Sequence, residues 1–140
     1  MVRYANQKDY TDIITTFRLY RDIFPHLKPT DIKKSIDKKE VVWDSGVVIH
    51  YNKYQRSRMK GDFKTMIGDV NLKKMASKNG GVASKVFNKW LKDLGSGRVV
   101  LTVRDENIRA IRFYDKQGFV KVSSCKWSKD IDGMVMVLEF

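Results

Sequence analysis

The chain has 140 residues, 42% of them hydrophobic, with three Trp and seven Phe. That is enough to bury a core without disulfide or metal support, and it excludes a disordered segment. Lys and Arg number 28 against 16 Asp and Glu, a formal charge of +12, which favours phosphate-rich cofactors and polyanionic partners, while the lone cysteine, Cys125, excludes an internal disulfide and a cysteine-based zinc site.

A single cysteine fits a reducing compartment. The first ten residues, MVRYANQKDY, carry no apolar leader core, and no run approaches the roughly 18 apolar residues of a membrane span. A cytoplasmic protein without membrane association is expected. No repeat, low-complexity stretch or Pro/Gly/Ser linker divides the sequence, so one domain over 1–140 is expected.

Val2 to Ala5 reads as a short first strand. From about Lys8 to Phe24, Tyr10, Ile13, Ile14, Phe17, Tyr20, Ile23 and Phe24 follow helical spacing. Pro25 and Pro29 bracket a loop, and Thr30 reads as the N-cap of a short helix carrying Ile32 and Ile36. Val41–Trp43 and Val47–Ile49 read as paired strands around Asp44-Ser45-Gly46, a hairpin turn. The basic run from Asn52 to Lys60 continues the third strand before a turn at Gly61-Asp62. Thr65 to Met75 reads as the fourth strand, whose two-residue period breaks at Lys73-Lys74, as a bulge or a strand end requires.

Beyond Lys78-Asn79-Gly80-Gly81-Val82-Ala83, a helix carries Val82, Val86, Phe87, Trp90, Leu91 and Leu94 on one face and ends at Gly95. The β-branched run Val99 to Val103 is a buried strand, followed by a short amphipathic helix that stops at Gly118. Two closing strands, near Phe119–Cys125 and Met134–Phe140, are joined by a turn at Asp130-Ile131-Asp132-Gly133.

Two stretches carry chemistry. The glycine pair Gly80-Gly81 between a strand and a helix lets backbone approach a phosphate closely, because no Cβ intervenes. The first helical N–H groups are unpaired, and the positive end of the helix dipole favours an anion. Val82, Ala83 and Ser84 supply those donors, and Lys78 adds a cation. Downstream, Asn107, Ala110, Phe113, Tyr114, Gly118 and Phe119 fall at the spacing N-x-x-A-x-x-F-Y-x-x-x-G-F.

Together the two stretches strongly resemble the GCN5-related N-acetyltransferase (GNAT) family, and the order of elements extends the resemblance over essentially the whole chain. It implies an α/β fold with a mixed, mostly antiparallel central sheet flanked by helices. It also implies acetyl transfer from acetyl-CoA to a primary amine in a ternary complex, with no metal. Lys78, Asn79, Gly80, Gly81, Val82 and Ala83 match the family's pyrophosphate loop, usually written Q/R-x-x-G-x-G/A, and Ser84 adds a hydroxyl or caps the helix. Lys78 stands where Gln or Arg is usual, keeping a cation but losing the planar fork.

By the same resemblance, Asn107 contacts the pantetheine arm or holds the start of its helix, and Ala110 keeps the helix face small beside the cofactor. Phe113 packs the helix on the sheet. Tyr114 matches the tyrosine that protonates the departing CoA thiolate. A phenol with a pKa near 10 and a thiol near 8.5, both approximate, are close enough for that exchange. A backbone N–H within Leu72, Lys73, Lys74 and Met75 polarises the acetyl carbonyl.

The general base is less legible. Asp69 on the fourth strand and His50 at the end of the third are the candidates, with Asp62 and Glu40 behind them, and a structural role competes for each. The segment His50 to Lys60 interleaves aromatics with cations, as nucleic-acid surfaces often do. His50, Tyr51, Asp105 and Tyr114 are loosely similar to a phage Mu-type enzyme that modifies DNA adenine on this fold, which is the alternative reading. A non-catalytic acyl-CoA or nucleic-acid binding module is a third. The expected partners are an amine-bearing acceptor of unassigned class and, beyond it, nucleic acid or an acidic partner, with the chain a monomer or homodimer.

Overall fold

The computed structural model describes residues 1–140. After a 3₁₀ turn at Gln7–Asp9, the elements are α1 (Tyr10–Arg18), α2 (Pro29–Asp37), β1 (Val41–Asp44), β2 (Val47–Lys53), β3 (Met59–Lys60), β4 (Phe63–Lys64), β5 (Val70–Ser77), α3 (Ala83–Leu94), β6 (Arg98–Arg104), α4 (Ile108–Gln117), β7 (Val120–Ser128) and β8 (Ile131–Glu139). A six-stranded sheet runs in the order β1-β2-β5-β6-β8-β7, and β3-β4 form a separate two-stranded ribbon. The β5–β6 pairing is parallel, whereas β1–β2, β6–β8 and β7–β8 are antiparallel. The mixed, mostly antiparallel sheet with helices is the expected architecture.

Backbone contacts divide the chain into two compact units, 1–51 with 73–95, and 52–72 with 96–140. In the first, side-chain alternation assigns the two faces of the β1–β2 hairpin. Val41, Trp43 and Val48 pack with Ile13, Ile14 and Phe17 of α1, Ile32 and Ile36 of α2, and Ala76 of β5. The opposite face carries Tyr51, whose ring meets Trp90 of α3 edge-on at 5.0 Å. The hairpin turns at Ser45 and Gly46, both with positive φ (52° and 77°), the pattern of a type I′ turn.

In the second unit β6 is paired with β8 over its whole length, from Arg98↔Glu139 to Arg104↔Gly133. Its buried side chains Val100, Val135 and Val137 form a core joined by Tyr54, Phe63 and Cys125. Strand β7 pairs with β8 alone and shifts register between Lys121 and Ser123 and again between Lys126 and Ser128.

Several local expectations are corrected. Val2 to Ala5 is not a strand but an extended segment with one bridge, Tyr4↔Val42. The helix expected over Lys8 to Phe24 is shorter. Asn6 and Asp9 close a reciprocal cap that holds residues 7–9 in a 3₁₀ turn. Past Arg18, Tyr20 N–H bonds to Phe17 O and Ile23 N–H to Tyr20 O, turns of i→i+3 type. The Tyr20 hydroxyl donates to Ser77 O and the Phe24 ring meets Phe17 at 5.2 Å, so tertiary anchors draw the chain off the helical path.

Thr30 is not the N-cap of the second helix. Lys28 holds that position and Pro29 the first helical one, where a missing N–H costs nothing. The third strand stops at Lys53, and the fourth begins at Val70, because residues 54–69 fold into an arm of their own. The closing strands are longer than expected. Ser128 pairs with Ile131, so the turn lies at Lys129-Asp130 and the segment expected to turn is in β8.

Candidate active site

Strand β5 delivers the chain to the glycine loop. Ser77 Oγ donates to Asn79 O, and Lys78 N–H donates to Gly46 O at 2.9 Å, so the loop start is tied to the β1–β2 turn. Gly81 takes φ +91°, and a Cβ built on Gly80 or Gly81 meets no atom within 4 Å. The glycine path therefore leaves an open approach to backbone. Helix α3 starts behind it with Val82 at the N-cap and no side-chain cap, and its first turn carries no acidic residue. An uncapped helix start preceded by open glycines suits an anion, and Lys85 in the first turn adds positive charge.

Lys78 does not point along that approach. Its Nζ lies 5.7 Å from the centroid of the Trp43 ring, and its aliphatic stem is the nearest neighbour a Cβ at Gly46 would meet, at 3.4 Å. The cation is stored against the hairpin turn. Of the carbonyl-polarising stretch, Leu72 is buried, Lys73 exposed, and Lys74 and Met75 half-buried on β5. The parallel ladder to β6 runs through Val70↔Val99 and Asn71↔Val100.

In the second unit, Asn107 caps α4, its side chain accepting from Ala110 N–H at 3.3 Å. Asn107 thus holds the helix start. Ala110 is half-buried on the first turn of α4. Further along α4, the Tyr114 ring packs edge-on against Phe119 at 5.3 Å and Phe113 at 5.6 Å. This aromatic setting desolvates the phenol and holds its proton affinity well above the ordinary tyrosine value. Tyr114 is thus fully protonated at neutral pH and available as a donor. A thiolate generated in equally apolar surroundings gains proton affinity for the same reason.

Neither proposed base is free to act. Asp69 forms a bidentate pair with Arg98, Nε to Oδ1 at 3.2 Å and the terminal nitrogen to Oδ2 at 2.6 Å. Its Oδ2 also accepts Met66 N–H at 2.8 Å. Both oxygens are occupied in closing the turn before β5. His50 is 1% exposed on the α2 side of the sheet, with Nε2 2.9 Å from Ser35 Oγ and Nδ1 without a partner. Burial first, then Lys73 and Lys74, push its pKa down to about 3. It is a neutral core histidine.

Consecutive strand residues face opposite sides, and His50 and Tyr51 do so, one toward Ser35 of α2 and the other toward Trp90 of α3. The two side chains therefore cannot both line one site, so at most one of them belongs to the set on which the adenine-modifying reading rests. Asp105 lies exposed after β6, its N–H bonded to Asp132 O. Asp62 lies at the exposed tip of the β3–β4 arm and Glu40 is half-buried before β1.

Two features were missed at the level of sequence. Lys74 is half-buried, and burial followed by the Lys73 charge lowers its pKa, against the opposing pull of Asp31. The break in the two-residue period at Lys73-Lys74 was the available signal. A cavity of about 290 Å³ lies beside the end of α1, lined by Phe17, Arg18, Arg21, Phe24 and Leu27 among others. It forms where that helix ends early, and nothing in the periodicity announced it. No group of three or more His, Cys, Asp or Glu is placed to hold a metal ion.

The sequence model of the acetyltransferase (GNAT) family matches residues 74–119, a span running from β5 through the glycine loop to the end of the tyrosine motif. Among solved structures, an acetyltransferase of the GNAT family from Bacillus cereus superposes with a TM-score of 0.73 at 13% identity, over 99% of this chain and 96% of that one. The yncA protein from Salmonella typhimurium, solved with its cofactor acetyl-CoA, gives 0.67 at 12% identity over 99% and 92%. A ribosomal-protein-alanine N-acetyltransferase from Brucella melitensis gives 0.69 at 11% identity over 100% and 99%. At such identities these structures speak for the fold. No curated protein matches the chain by sequence. The family model covers the stretch that holds both motifs, and the solved structures show that the chain as a whole has the fold of GNAT acetyltransferases.

Proposed function

We propose that this chain moves an acetyl group from acetyl-CoA to a primary amine by direct attack, without a covalent enzyme intermediate. The observation that supports it most is the open, uncapped start of α3 behind Gly80 and Gly81. In this reading the backbone N–H groups of Val82, Ala83 and Ser84 bind the pyrophosphate. Lys78 swings from Trp43 to add charge. Asn107 fixes the start of α4, Ala110 leaves room beside it, and Phe113 holds the ring of Tyr114. A backbone N–H within Leu72 to Met75 stabilises negative charge on the carbonyl oxygen.

Tyr114 protonates the departing thiolate, a proton that burial preserves on the phenol at neutral pH. With Asp69 committed to Arg98 and His50 to Ser35, the acceptor amine loses its proton to solvent rather than to either side chain. A formal charge of +12 weighs against a polycationic acceptor and toward acidic partners. The chain works in the cytoplasm.

The test is Tyr114→Phe. Removing a positioned proton donor lowers kcat by about 100-fold or more while leaving acetyl-CoA affinity within about threefold. An unchanged kcat takes Tyr114 out of the mechanism.

A further inference from the structure

Residues 52–69 leave the sheet between β2 and β5 and return to it as an arm held by hydrogen bonds at its base, middle and tip. At its base, Tyr54 N–H donates to Asp69 O and Gly68 N–H to Tyr54 O, both at 2.9 Å, and Asn71 Nδ2 donates to Asn52 Oδ1. The Arg98 guanidinium grips Asp69 and lies 5.0 Å from the centroid of Phe63. Midway, Thr65 N–H bonds to Arg58 O at 2.8 Å, continuing the ladder Met59↔Lys64 and Lys60↔Phe63. At the tip, Asp62 N–H bonds to Ser123 Oγ of β7. One face of the ribbon is anchored by Phe63 on Val100, Val135 and Val137. The other faces solvent.

Chemically the arm is one-sided. Lys53, Arg56, Arg58, Lys60 and Lys64 lie on it, and none enters an ion pair; the pairs are Arg3–Asp9, Lys89–Asp44, Arg98–Asp69 and Lys126–Asp132. Against these cations stands Asp62, since Asp69 is neutralised by Arg98. Between them Met59, Met66 and Ile67 are 61%, 62% and 75% exposed. The aromatics Tyr54 and Phe63 are instead turned inward.

From this juxtaposition we propose that the β3–β4 arm is a docking surface for double-stranded nucleic acid, gripped through its phosphates. The exposed Arg56, Arg58 and Lys64 meet the phosphates that border the major groove, about 12 Å wide. Arginine forks match phosphate oxygens in a bidentate way. Exposed Met59, Met66 and Ile67 offer apolar surface to the thymine methyl groups that line that groove. The absence of outward aromatics argues against single strands, which are held by stacking, and against a membrane interface, which takes Trp, Phe and Leu. This surface is independent of acetyl transfer and adds a partner to it.

The experiment follows fluorescence anisotropy of a labelled random-sequence duplex of about 20 bp, titrated with the full chain at about 50 and 200 mM salt. The triple variant Arg56→Gln, Arg58→Gln, Lys64→Gln is compared with Lys8→Gln, Lys34→Gln, Lys38→Gln, which removes the same charge from exposed positions of the other unit. The arm variant is expected to bind at least tenfold more weakly and to lower the slope of log affinity against log salt by about 2 to 3. The control stays within about twofold of the parent.

Equal losses in both variants, or no binding by the parent at the lower salt, would overturn the proposal. So would retention on phosphatidylserine vesicles that depends on the same three residues while duplex binding does not. Circular dichroism and thermal unfolding of both variants confirm that folding is intact. Because acetyl-CoA is absent from the titration, its outcome leaves the transferase reading untouched.

Discussion

His50 is buried beside two lysines on β5, and its pKa falls to about 3 from the ordinary 6.5. Between those values the unfolded chain binds a proton that the folded chain refuses, so stability rises with pH across the window and is lost as pH falls through it. Each unit below 6.5 lowers the folded-to-unfolded ratio by up to about tenfold from this group alone. Urea unfolding of His50→Gln is therefore expected to depend less steeply on pH between about 3 and 6.5. A parent profile already flat in that window contradicts the account. At the other residue of interest, Tyr114→Phe leaves Phe113 and Phe119 their ring contacts, so a fall in kcat arises without a fall in stability. Tyr114 could be read from its spacing to Asn107 and Gly118. The partners of Asp69 and His50 could not, because Arg98 and Ser35 lie 29 and 15 residues away, and contacts at that separation leave no periodic trace.

At the level of elements, the arm has two points of attachment and each makes a prediction. A Cβ at Gly61 would stand 2.1 Å from Ser124 O, a backbone atom, at φ +57°. Gly61→Ala thus displaces the tip from β7 and is expected to cost about 1–3 kcal/mol in denaturant unfolding. An unchanged midpoint contradicts the tip contact. At the base, Arg98→Gln leaves Asp69 with a neutral partner and is expected to cost about 2 kcal/mol, with accelerated hydrogen exchange over 54–69. Uniform exchange there contradicts the clamp.

The regular elements were legible because their signals are local: the apolar faces of α3 and α4, the β-branched run of β6, and the Ser45-Gly46 turn. The boundaries that failed, α1 ending at Arg18 and the closing turn at Lys129-Asp130, are set by tertiary contacts. Tyr20 on Ser77 O ends the helical path, and the two register shifts of β7 place the turn. The arm itself had the composition of a strand extension, and only its hydrogen bonds to Asp69 and Ser123 make it a separate element.

For the whole molecule, the mixed, mostly antiparallel sheet flanked by helices was legible from the order of elements together with the family resemblance, whereas the strand order β1-β2-β5-β6-β8-β7 comes from the structure, and the fold likeness extends over nearly the full chain. Of the formal charge of +12, the arm carries Lys53, Arg56, Arg58, Lys60 and Lys64 against Asp62 and the Arg98-paired Asp69. The central claim is that the glycine loop before α3 is built for a phosphate-rich co-substrate. The direct measurement is a calorimetric titration of the folded chain with acetyl-CoA, repeated on Gly81→Glu, which sets a carboxylate at the open backbone position with φ +91°. The account predicts micromolar binding by the parent and its loss in the variant, with circular dichroism unchanged. A folded parent that takes up no acetyl-CoA, or a variant that binds it equally well, contradicts it.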